Sequence, residues 1–183
     1  MNAVETSALT KKYGSLTAVD QLNLTIKHGE LFSLLGVNGA GKTTTIKMLS
    51  CLTCPSGGDA LLAGHSILTE TAQVKQLIGV SPQETAIAPN LTVRENLELM
   101  CGVHDFSRAK TAEKTEELLR QFELPIPVDT PVARLTTLQR AQIELLKAHV
   151  GGQEIVLLDN LARFLSVPEI KRLLTLIDRL REE

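Results

Sequence analysis

The chain has 183 residues, of which 43% are hydrophobic and 22% are charged, and its formal net charge is −2. This length suits one substantial hydrophobic core, and the composition is that of an ordinary globular protein. The near-neutral charge and the scarcity of aromatic side chains (one Tyr, four Phe and no Trp) argue against a nucleic-acid-binding surface. We expect neither a signal peptide nor a transmembrane segment, because no segment approaches about 18 consecutive apolar residues, so any membrane role should require a partner.

The N-terminal segment predicts strands joined by turns. Residues 16–19 and 22–26 alternate apolar and polar side chains between Gly14-Ser15 and His28-Gly29, a pattern typical of a half-exposed antiparallel hairpin. Residues 31–35 form an apolar run, which is typical of a strand buried on both faces.

A glycine-rich loop follows this predicted strand directly, and a predicted helix over residues 42–52 follows the loop. The loop matches the phosphate-binding pattern G-x-x-x-x-G-K-[S/T], and the order strand, loop, helix is the context that distinguishes it from a chance match. Its residues are Gly36, Val37, Asn38, Gly39, Ala40, Gly41, Lys42 and Thr43.

The chemistry of this loop suits an anion. Its glycines let several backbone N–H groups turn toward one phosphate, and the following helix adds the positive end of its dipole. Lys42 is able to reach the β- and γ-phosphates, and the hydroxyl of Thr43 is able to bind Mg²⁺. The loop therefore predicts nucleotide binding, with ATP and Mg²⁺ as the expected cofactors.

Cys51 and Cys54 form a C-x-x-C pair, which raises the question of metal or redox chemistry. A zinc site needs about four ligands, and the other candidates, Cys101, His65 and His104, show no recognisable spacing. We therefore interpret the pair as reduced cysteines near a helix end.

A second short buried strand is predicted over residues 77–80, ending at Ser81-Pro82-Gln83. Thr92 and Glu95 then form a capping-box pattern that predicts the start of a helical region reaching to about residue 122. Its apolar face contains Leu118, Leu119 and Phe122.

Three prolines, at positions 125, 127 and 131, mark a linker ahead of a helix predicted over residues 138–150. Residues 155–159 predict a third buried strand, with Asp159 at its C-terminal end as a second candidate partner for magnesium. Ser166 and Pro168 then predict the start of a last helix. Its apolar stripe contains Ile170, Leu173, Leu174, Ile177 and Leu180.

With these motifs in this order, the chain resembles the nucleotide-binding subunit of an ABC transporter over nearly its whole length. The resemblance implies that the ring of Tyr13 stacks on adenine, with Val19 beside it. It also implies that residues 36–44, which end at Thr44, are the Walker A segment.

The same resemblance implies a metal and coupling site. Gln83, followed by Leu91-Thr92-Val93 and Glu95-Asn96, resembles the Q-loop, whose glutamine contacts magnesium and senses the membrane partner. Residues 155–159 match the Walker B segment, which assigns Asp159 to magnesium together with Thr43.

The chain departs from the family at the segment that grips the γ-phosphate of a second subunit. Where the family has a Ser-Gly-Gly-Gln turn, this chain has Thr136-Thr137-Leu138-Gln139. Thr136 keeps a hydroxyl, but the Cβ atoms of Thr137 and Leu138 are expected to hinder the close approach of backbone to phosphate.

Two further departures concern hydrolysis. Asn160 follows Asp159 where the family has a glutamate acting as general base, and an amide cannot accept a proton. Asn160 can still orient a water molecule, but we expect slow hydrolysis. The family also has a later strand that ends in a switch histidine, and the last histidine here is His149. We therefore expect a C-terminally incomplete cassette with an open sheet centre.

The two halves of the chain resemble different transporters. Residues up to about 124 resemble the cassettes of drug or lipid exporters, and residues from about 128 resemble the duplicated, partly degenerate cassettes of sugar importers. A chimera and simple divergence of one lineage both explain this difference.

The resulting prediction is an α/β P-loop NTPase of the ABC type, with a mixed sheet, N-terminal antiparallel strands and a helical subdomain. We expect a single domain, with the ATP-binding core at 1–90, the helical subdomain at about 91–150, and the Walker B strand and last helix at 151–183. Lys42, Gln83 and Asn160 are the candidate catalytic residues. The expected metal ligands are Thr43, Gln83 and Asp159.

The expected function is ATP-dependent movement of a transmembrane permease subunit, together with a second nucleotide-binding subunit in a homo- or heterodimer. The expected location is cytoplasmic, at the inner face of the cell membrane, and no nucleic-acid partner is expected. One alternative is a degenerate, regulatory ATP-binding cassette or a truncated or chimeric fragment. Another is a different P-loop enzyme such as a small-molecule kinase.

Overall fold

The computed structural model describes residues 2–82, 87–103 and 108–181, and of residues 100–103 and 108–112 it describes the backbone only. The described chain divides into two compact units. The first contains residues 1–80 and 154–159, and the second contains residues 81–153 and 160–183. Within the described residues, none of the helices is both long enough and apolar enough to cross a membrane.

The elements of the first unit form an antiparallel sheet, two short helices and a separate strand pair. The sheet has the order β2-β1-β3-β4, and β5 pairs with β6. The bounds are β1 Asn2–Tyr13, β2 Leu16–Lys27, α1 Lys42–Leu49, β3 Gly57–Leu62, β4 His65–Ser66, α2 Thr71–Leu77, β5 Ile78–Ser81 and β6 Ile155–Leu158.

The N-terminal hairpin differs from the predicted one. Residues 16–19 and 22–26 both lie in β2, and their antiparallel partner is β1. The irregularity between the two runs is a bulge at Gln21, whose φ is 43°. The N–H of Gln21 donates to Thr10 Oγ1 at 3.0 Å, so a side chain satisfies the donor that the bulge removes from the ladder. The local alternation is real, but a bulge rather than a turn separates the two runs.

The prediction of a buried strand over residues 31–35 is wrong for the described structure. This segment has no strand assignment, and Leu31, Phe32 and Leu35 are 41%, 40% and 92% exposed. A strand buried on both faces needs neighbouring strands on its two edges and layers over both faces. No described strand pairs with this segment, so its apolar side chains stay in contact with solvent.

The core of the first unit lies between the sheet and α1. Leu9 of β1, Met48 of α1, Leu62 of β3 and Val74 of α2 are fully buried there. The predicted strands at 77–80 and 155–159 are present as β5 and β6, although only Ile155 of β6 is buried and the rest of that strand is half-buried.

The second unit is helical. Its bounds are α3 Val93–Val103, α4 Arg108–Gln121, a single 3-10 turn at Val132–Arg134, α5 Thr137–His149 and α6 Val167–Arg181. The predicted apolar face at Leu118, Leu119 and Phe122 is buried. The predicted stripe on α6 is mostly present, since Leu173 is buried and Ile170, Ile177 and Leu180 are half-buried. Leu174 is 39% exposed instead, and Leu176, which was not predicted, is buried.

Side-chain hydrogen bonds cap the start of three of these helices, and two of the caps are capping boxes. The predicted box at Thr92 and Glu95 is confirmed, since Glu95 Oε2 accepts from the Thr92 N–H at 2.7 Å and Thr92 Oγ1 accepts from the Glu95 N–H at 3.2 Å. Ser166 N–H donates to Glu169 at 2.8 Å at the start of α6, and Thr136 forms a box with Gln139 at the start of α5. Local side-chain bonds thus satisfy the orphan donors at these helix ends.

We expect the capping carboxylate of Glu95 to make the stability of this unit depend on pH. Hydrogen bonds from the backbone and side chain of Thr92 hold the pKa of Glu95 below its ordinary value of 4.5. A carboxylate whose pKa is lower in the folded state stabilises the fold at pH values above its unfolded-state pKa. This contribution disappears as the pH falls through its folded-state pKa. Urea unfolding of the wild type and Glu95→Gln should therefore show a penalty at pH 7 that shrinks below about pH 4. An equal penalty at both pH values would contradict the assignment.

Asn96, which is fully buried in α3, fixes the segment that precedes this helix. Its amide group donates to the carbonyls of Ala88 and Thr92, both at 3.0 Å, and its Oδ1 accepts from the Ala88 N–H at 2.8 Å. We expect Asn96→Asp to cost about 2–3 kcal/mol of unfolding free energy, because it removes both donors and buries a charge. Chemical denaturation measures this loss. Asp129→Asn is a surface control that should cost less than about 1 kcal/mol, since it weakens only the exposed pair with Arg94.

Candidate phosphate and metal site

The predicted phosphate loop lies on the first unit, between the exposed segment 31–35 and α1. Residues 36–40 are exposed, and a turn is closed by the Ala40 N–H, which donates to the carbonyl of Val37 at 3.1 Å. Gly39 and Gly41 have φ values of 85° and 84°. These left-handed conformations favour glycine, because other residues place Cβ too close to the following carbonyl.

A second reason for glycine at position 41 is that the backbone there lies very close to β2. A Cβ atom at this position would lie 2.3 Å from the carbonyl oxygen of Ala18 and 3.0 Å from Val19 Cγ2. The loop therefore ends directly against the strand, and Gly41 is the N-cap of α1. The Thr45 hydroxyl completes this junction by donating to the Gly41 carbonyl at 3.0 Å.

Lys42 is the first residue of α1, and its side chain folds back across the loop. Its Nζ donates to the carbonyls of Gly36 and Val37 at 2.7 and 2.8 Å. The ammonium is therefore held over the loop, beside the N-terminus of a helix that has no acidic residue in its first turn. This arrangement places positive charge where the helix dipole also favours an anion.

Thr43 and Asp159 are brought together although they are far apart in the sequence. Thr43 Oγ1 donates to Asp159 Oδ1 at 3.2 Å, and the Asp159 side chain, at the end of β6, is 7% exposed. Hydroxyl and carboxylate oxygens suit Mg²⁺, which typically takes one or two protein ligands and completes its shell with water and phosphate oxygens. The described residues contain no cluster of three or more His, Cys, Asp or Glu side chains that could hold a metal ion.

The two predicted adenine contacts differ in exposure. Tyr13 ends β1 and is 49% exposed, with Lys11 Nζ 5.1 Å from the centroid of its ring. Val19 is 8% exposed and lies under the loop at Gly41. Thr44 is half-buried in the first turn of α1.

A cavity of about 230 Å³ opens beside β2 and the loop. Tyr13 does not line it. Its lining residues are Ala18, Val19, Asp20, Leu22, Leu34, Leu35, Ala40, Lys42 and Thr45.

The remaining predicted residues belong to the second unit or fall outside the described residues. Gln83 falls outside the described residues. Asn160 has a φ of 61°, and its carbonyl accepts from the Arg163 N–H at 3.0 Å in a turn. Thr137 is the first residue of α5, and Leu138 is buried in that helix.

Sequence reasoning missed two contributors to the loop. Thr45 has a signal, because a threonine in a helix often bonds the carbonyl four residues earlier, which here belongs to Gly41. The Ala18 carbonyl has no such signal, since its approach to Gly41 depends on the packing of α1 against β2.

Comparison with known proteins identifies the family. A family model described as "ABC transporter" matches residues 19–163. The ATP-binding cassette sub-family A member 2 of Homo sapiens is 37% identical over 82% of this chain and 6% of its own length. The daunorubicin/doxorubicin resistance ATP-binding protein DrrA of Streptomyces peucetius is 35% identical, over 86% of this chain and 48% of its own length. The arabinose import ATP-binding protein AraG of Mannheimia succiniciproducens is 33% identical, over 98% of this chain and 37% of its own length.

The chain thus spans less than half the length of each of these three relatives. Solved structures agree on the fold. A dimeric bacterial ABC transporter cassette, MJ0796, is 23% identical with a TM-score of 0.82, over 98% of this chain and 83% of its own. A nucleotide-free ATP-binding cassette from an ABC transporter is 19% identical with a TM-score of 0.87, over 100% of this chain and 78% of its own. The chain therefore belongs to the ABC transporter family, as an ATP-binding cassette with the α/β fold of P-loop NTPases.

Proposed function

We propose that this cassette binds MgATP at the loop 36–43 and hydrolyses it slowly, with Asn160 at the position of the general base. The observation that carries this proposal is the joint geometry of two contacts. Lys42 Nζ is held over the loop by two carbonyls, and Thr43 Oγ1 lies 3.2 Å from Asp159 Oδ1. A cationic donor beside a pair of oxygen ligands suits a phosphate chain that carries magnesium.

Each residue of the loop has a defined role in this proposal. Lys42 exchanges its bonds to the carbonyls of Gly36 and Val37 for bonds to phosphate oxygens, which are stronger acceptors because they are charged. The backbone N–H groups of the loop and the N-terminus of α1 bind the same anion. Thr43 and Asp159, with Gln83, are the proposed protein ligands of Mg²⁺, which when bound neutralises phosphate charge.

Tyr13 is the proposed platform for the base. The residue is half exposed at the end of β1. Val19, which is buried next to Gly41, is the second proposed contact for the base. Aromatic stacking of this kind tolerates different bases, so we expect selectivity for the triphosphate to exceed selectivity for adenine.

Slow turnover follows from the chemistry of Asn160. A general base must accept a proton from the attacking water, and a carboxamide does not do so near neutral pH. The side chains of Thr137 and Leu138 also differ from the glycines that a backbone grip on phosphate requires. A regulatory cassette, which binds ATP and barely turns it over, is therefore the second candidate function.

The proposed partners are those with which ABC cassettes work. We propose that the cassette lies at the cytoplasmic face of a membrane against a transmembrane permease subunit and pairs with a second nucleotide-binding subunit. In this proposal the permease subunit, and not the cassette, determines which substrate is transported.

Titration calorimetry with MgATP and a steady-state ATPase assay test the proposal together. We expect saturable binding below millimolar MgATP and a turnover far below one per second, compared with about 1–100 per second for typical kinases. Asn160→Glu should raise turnover, because it supplies a carboxylate, whereas the matched Asn160→Gln should not. If MgATP failed to bind even at millimolar concentration, both candidate functions would be wrong. A wild-type turnover of several per second would exclude the regulatory cassette.

A further inference from the structure

Lys11 lies beside the ring to which the proposed function assigns the nucleotide base. Its Nζ lies over the ring of Tyr13, 5.1 Å from the ring centroid. An ammonium at this distance is attracted by the negative potential over the face of an aromatic ring. A cation therefore covers one face of the Tyr13 ring, and a planar base that stacks on this ring would use the opposite face.

A second contact fixes the position of this ammonium. Lys11 is half-buried, and its Nζ donates to the Cys54 carbonyl at 2.6 Å. A hydrogen bond from a charged donor is shorter and stronger than one between neutral groups. The ammonium therefore bridges a backbone carbonyl and an aromatic ring, which restricts a side chain that is otherwise long and flexible.

The Cys54 carbonyl belongs to a segment that is bonded to the same strand. The Ser56 N–H donates to the Thr10 carbonyl at 2.8 Å, and the Ser56 Oγ accepts from the Lys12 N–H at 3.0 Å. The strand β3, which begins at the next residue, pairs with β1. These bonds hold the acceptor carbonyl in place relative to the strand that carries both the lysine and the tyrosine.

The ladder between β1 and β2 places Lys11 opposite Val19, the second proposed contact for the base. Residues that lie directly opposite each other in an antiparallel pair have side chains on the same face of the sheet. Lys11 therefore contacts one of the two residues assigned to the base and is the ladder partner of the other. Neither the phosphate loop nor the metal pair uses it.

We propose that Lys11 is a positioning residue for the nucleotide base: its ammonium, fixed by the Cys54 carbonyl, holds the ring of Tyr13 in the orientation that stacks on the base. This role rests on the proposed function of Tyr13. A ring that is held before binding loses less rotamer freedom when the base arrives, which favours binding. The cation also draws the π electrons toward its own face, so the opposite face repels the π electrons of a base less.

The first test needs no nucleotide and uses the fluorescence of Tyr13, the only tyrosine in a sequence without tryptophan. Lys11→Met keeps the length of the side chain but removes the charge. We expect the emission of this variant to show lower anisotropy and stronger quenching by acrylamide than that of the wild type, because the ring moves more freely and the covered face meets solvent. Unchanged anisotropy and quenching would overturn the proposal.

Two variants control this measurement. Lys11→Arg should keep the wild-type anisotropy and quenching, because a guanidinium also donates to a carbonyl and binds an aromatic face. Lys12→Met removes the same charge from the exposed neighbour, whose backbone bond to Ser56 it leaves in place, and should also match the wild type. An effect of Lys12→Met as large as that of Lys11→Met would show that net charge, and not the contact with the ring, is responsible.

The second test is the affinity for MgATP, measured by titration calorimetry in a double-mutant cycle. Lys11→Met should weaken binding about 3- to 10-fold, the effect expected from ordering one side chain on binding. In a Tyr13→Leu background the same substitution should have no effect, because the ring through which it acts is gone. An equal loss in both backgrounds would show that Lys11 acts on the nucleotide directly, which contradicts a positioning role.

The outcomes separate the role of Lys11 from MgATP binding at the loop. If the wild type bound MgATP and Lys11→Met bound it equally well, the role of Lys11 would be wrong and the loop assignment would stand. If the wild type did not bind MgATP, the proposed function and the part of Lys11 in base binding would both be wrong. The fluorescence of Tyr13 would still decide whether Lys11 holds the ring.

Discussion

Lys42→Ala should lower the affinity for MgATP by about 100-fold, which corresponds to about 3 kcal/mol. Lys42 Nζ donates to two loop carbonyls, at 2.7 and 2.8 Å. Among the described lysines and arginines, Lys42 is the only one whose charged group is seen bonded to these carbonyls. Its removal takes a charge-assisted donor away from the phosphates and leaves only backbone N–H groups and the helix dipole. Titration calorimetry with MgATP measures the change.

Lys47→Ala is the matched control for this experiment. Lys47 belongs to the same helix but is exposed in its last turn, so its loss changes net charge without removing a donor from the loop. We expect the control to change affinity by less than about threefold, because exposed charges are screened by solvent and salt. If Lys42→Ala and Lys47→Ala had the same affinity as the wild type, the phosphate assignment would be wrong.

Gly41→Ala should destabilise the first unit by about 3 kcal/mol. About 1–2 kcal/mol arises from placing an alanine at a φ of 84°. The rest arises because the added Cβ would lie 2.3 Å from the Ala18 carbonyl oxygen, so the backbone of the loop or of β2 has to move. Urea denaturation followed by circular dichroism gives the loss, and calorimetry gives the accompanying loss of MgATP affinity.

Gly39→Ala separates the two causes. Gly39 has nearly the same φ, 85°, but a Cβ there would meet no atom within 4 Å. Its cost should therefore be limited to about 1–2 kcal/mol from backbone conformation. Equal stability losses in the two variants would show that the clash with Ala18 adds nothing to the loss of unfolding free energy. The loop would then not be held against β2.

Lys42 and Gly41 contribute to the site in different ways. Lys42 acts through its charge on the ligand, so its substitution should affect affinity far more than unfolding. Gly41 acts through the shape of the backbone, so its substitution should affect both. A site in which Lys42→Ala mainly changed stability would be a structural turn and not a phosphate site.

Local patterns in the sequence predict the features that depend on neighbouring residues. The capping box at Thr92 and Glu95 forms as expected, and Ser166 directly precedes the last helix as predicted, because such caps involve residues only three positions apart in the chain. The helix after Lys42 and the order of loop and helix follow from the same short-range geometry. The motif order also predicts the family, which the match over residues 19–163 confirms.

Other features depend on contacts that no local pattern contains. The alternation in residues 16–26 predicts strands, but only the pairing with β1 decides that one bulged strand contains both runs. An apolar run at 31–35 predicts burial, yet burial needs strands beside it, and the described structure has none there. The helix α2 has seven residues and the strand β4 has two, so both are too short for a local pattern to predict them.

The sequence by itself determined that this protein has a P-loop motif with Lys42 and Thr43 at the start of a helix, since those positions are adjacent in the chain. The tertiary structure alone decided that Asp159 lies 3.2 Å from Thr43, and that Gly41 has no room for a side chain. Both depend on where β6 and β2 lie relative to α1, which is set by packing between segments distant in the sequence.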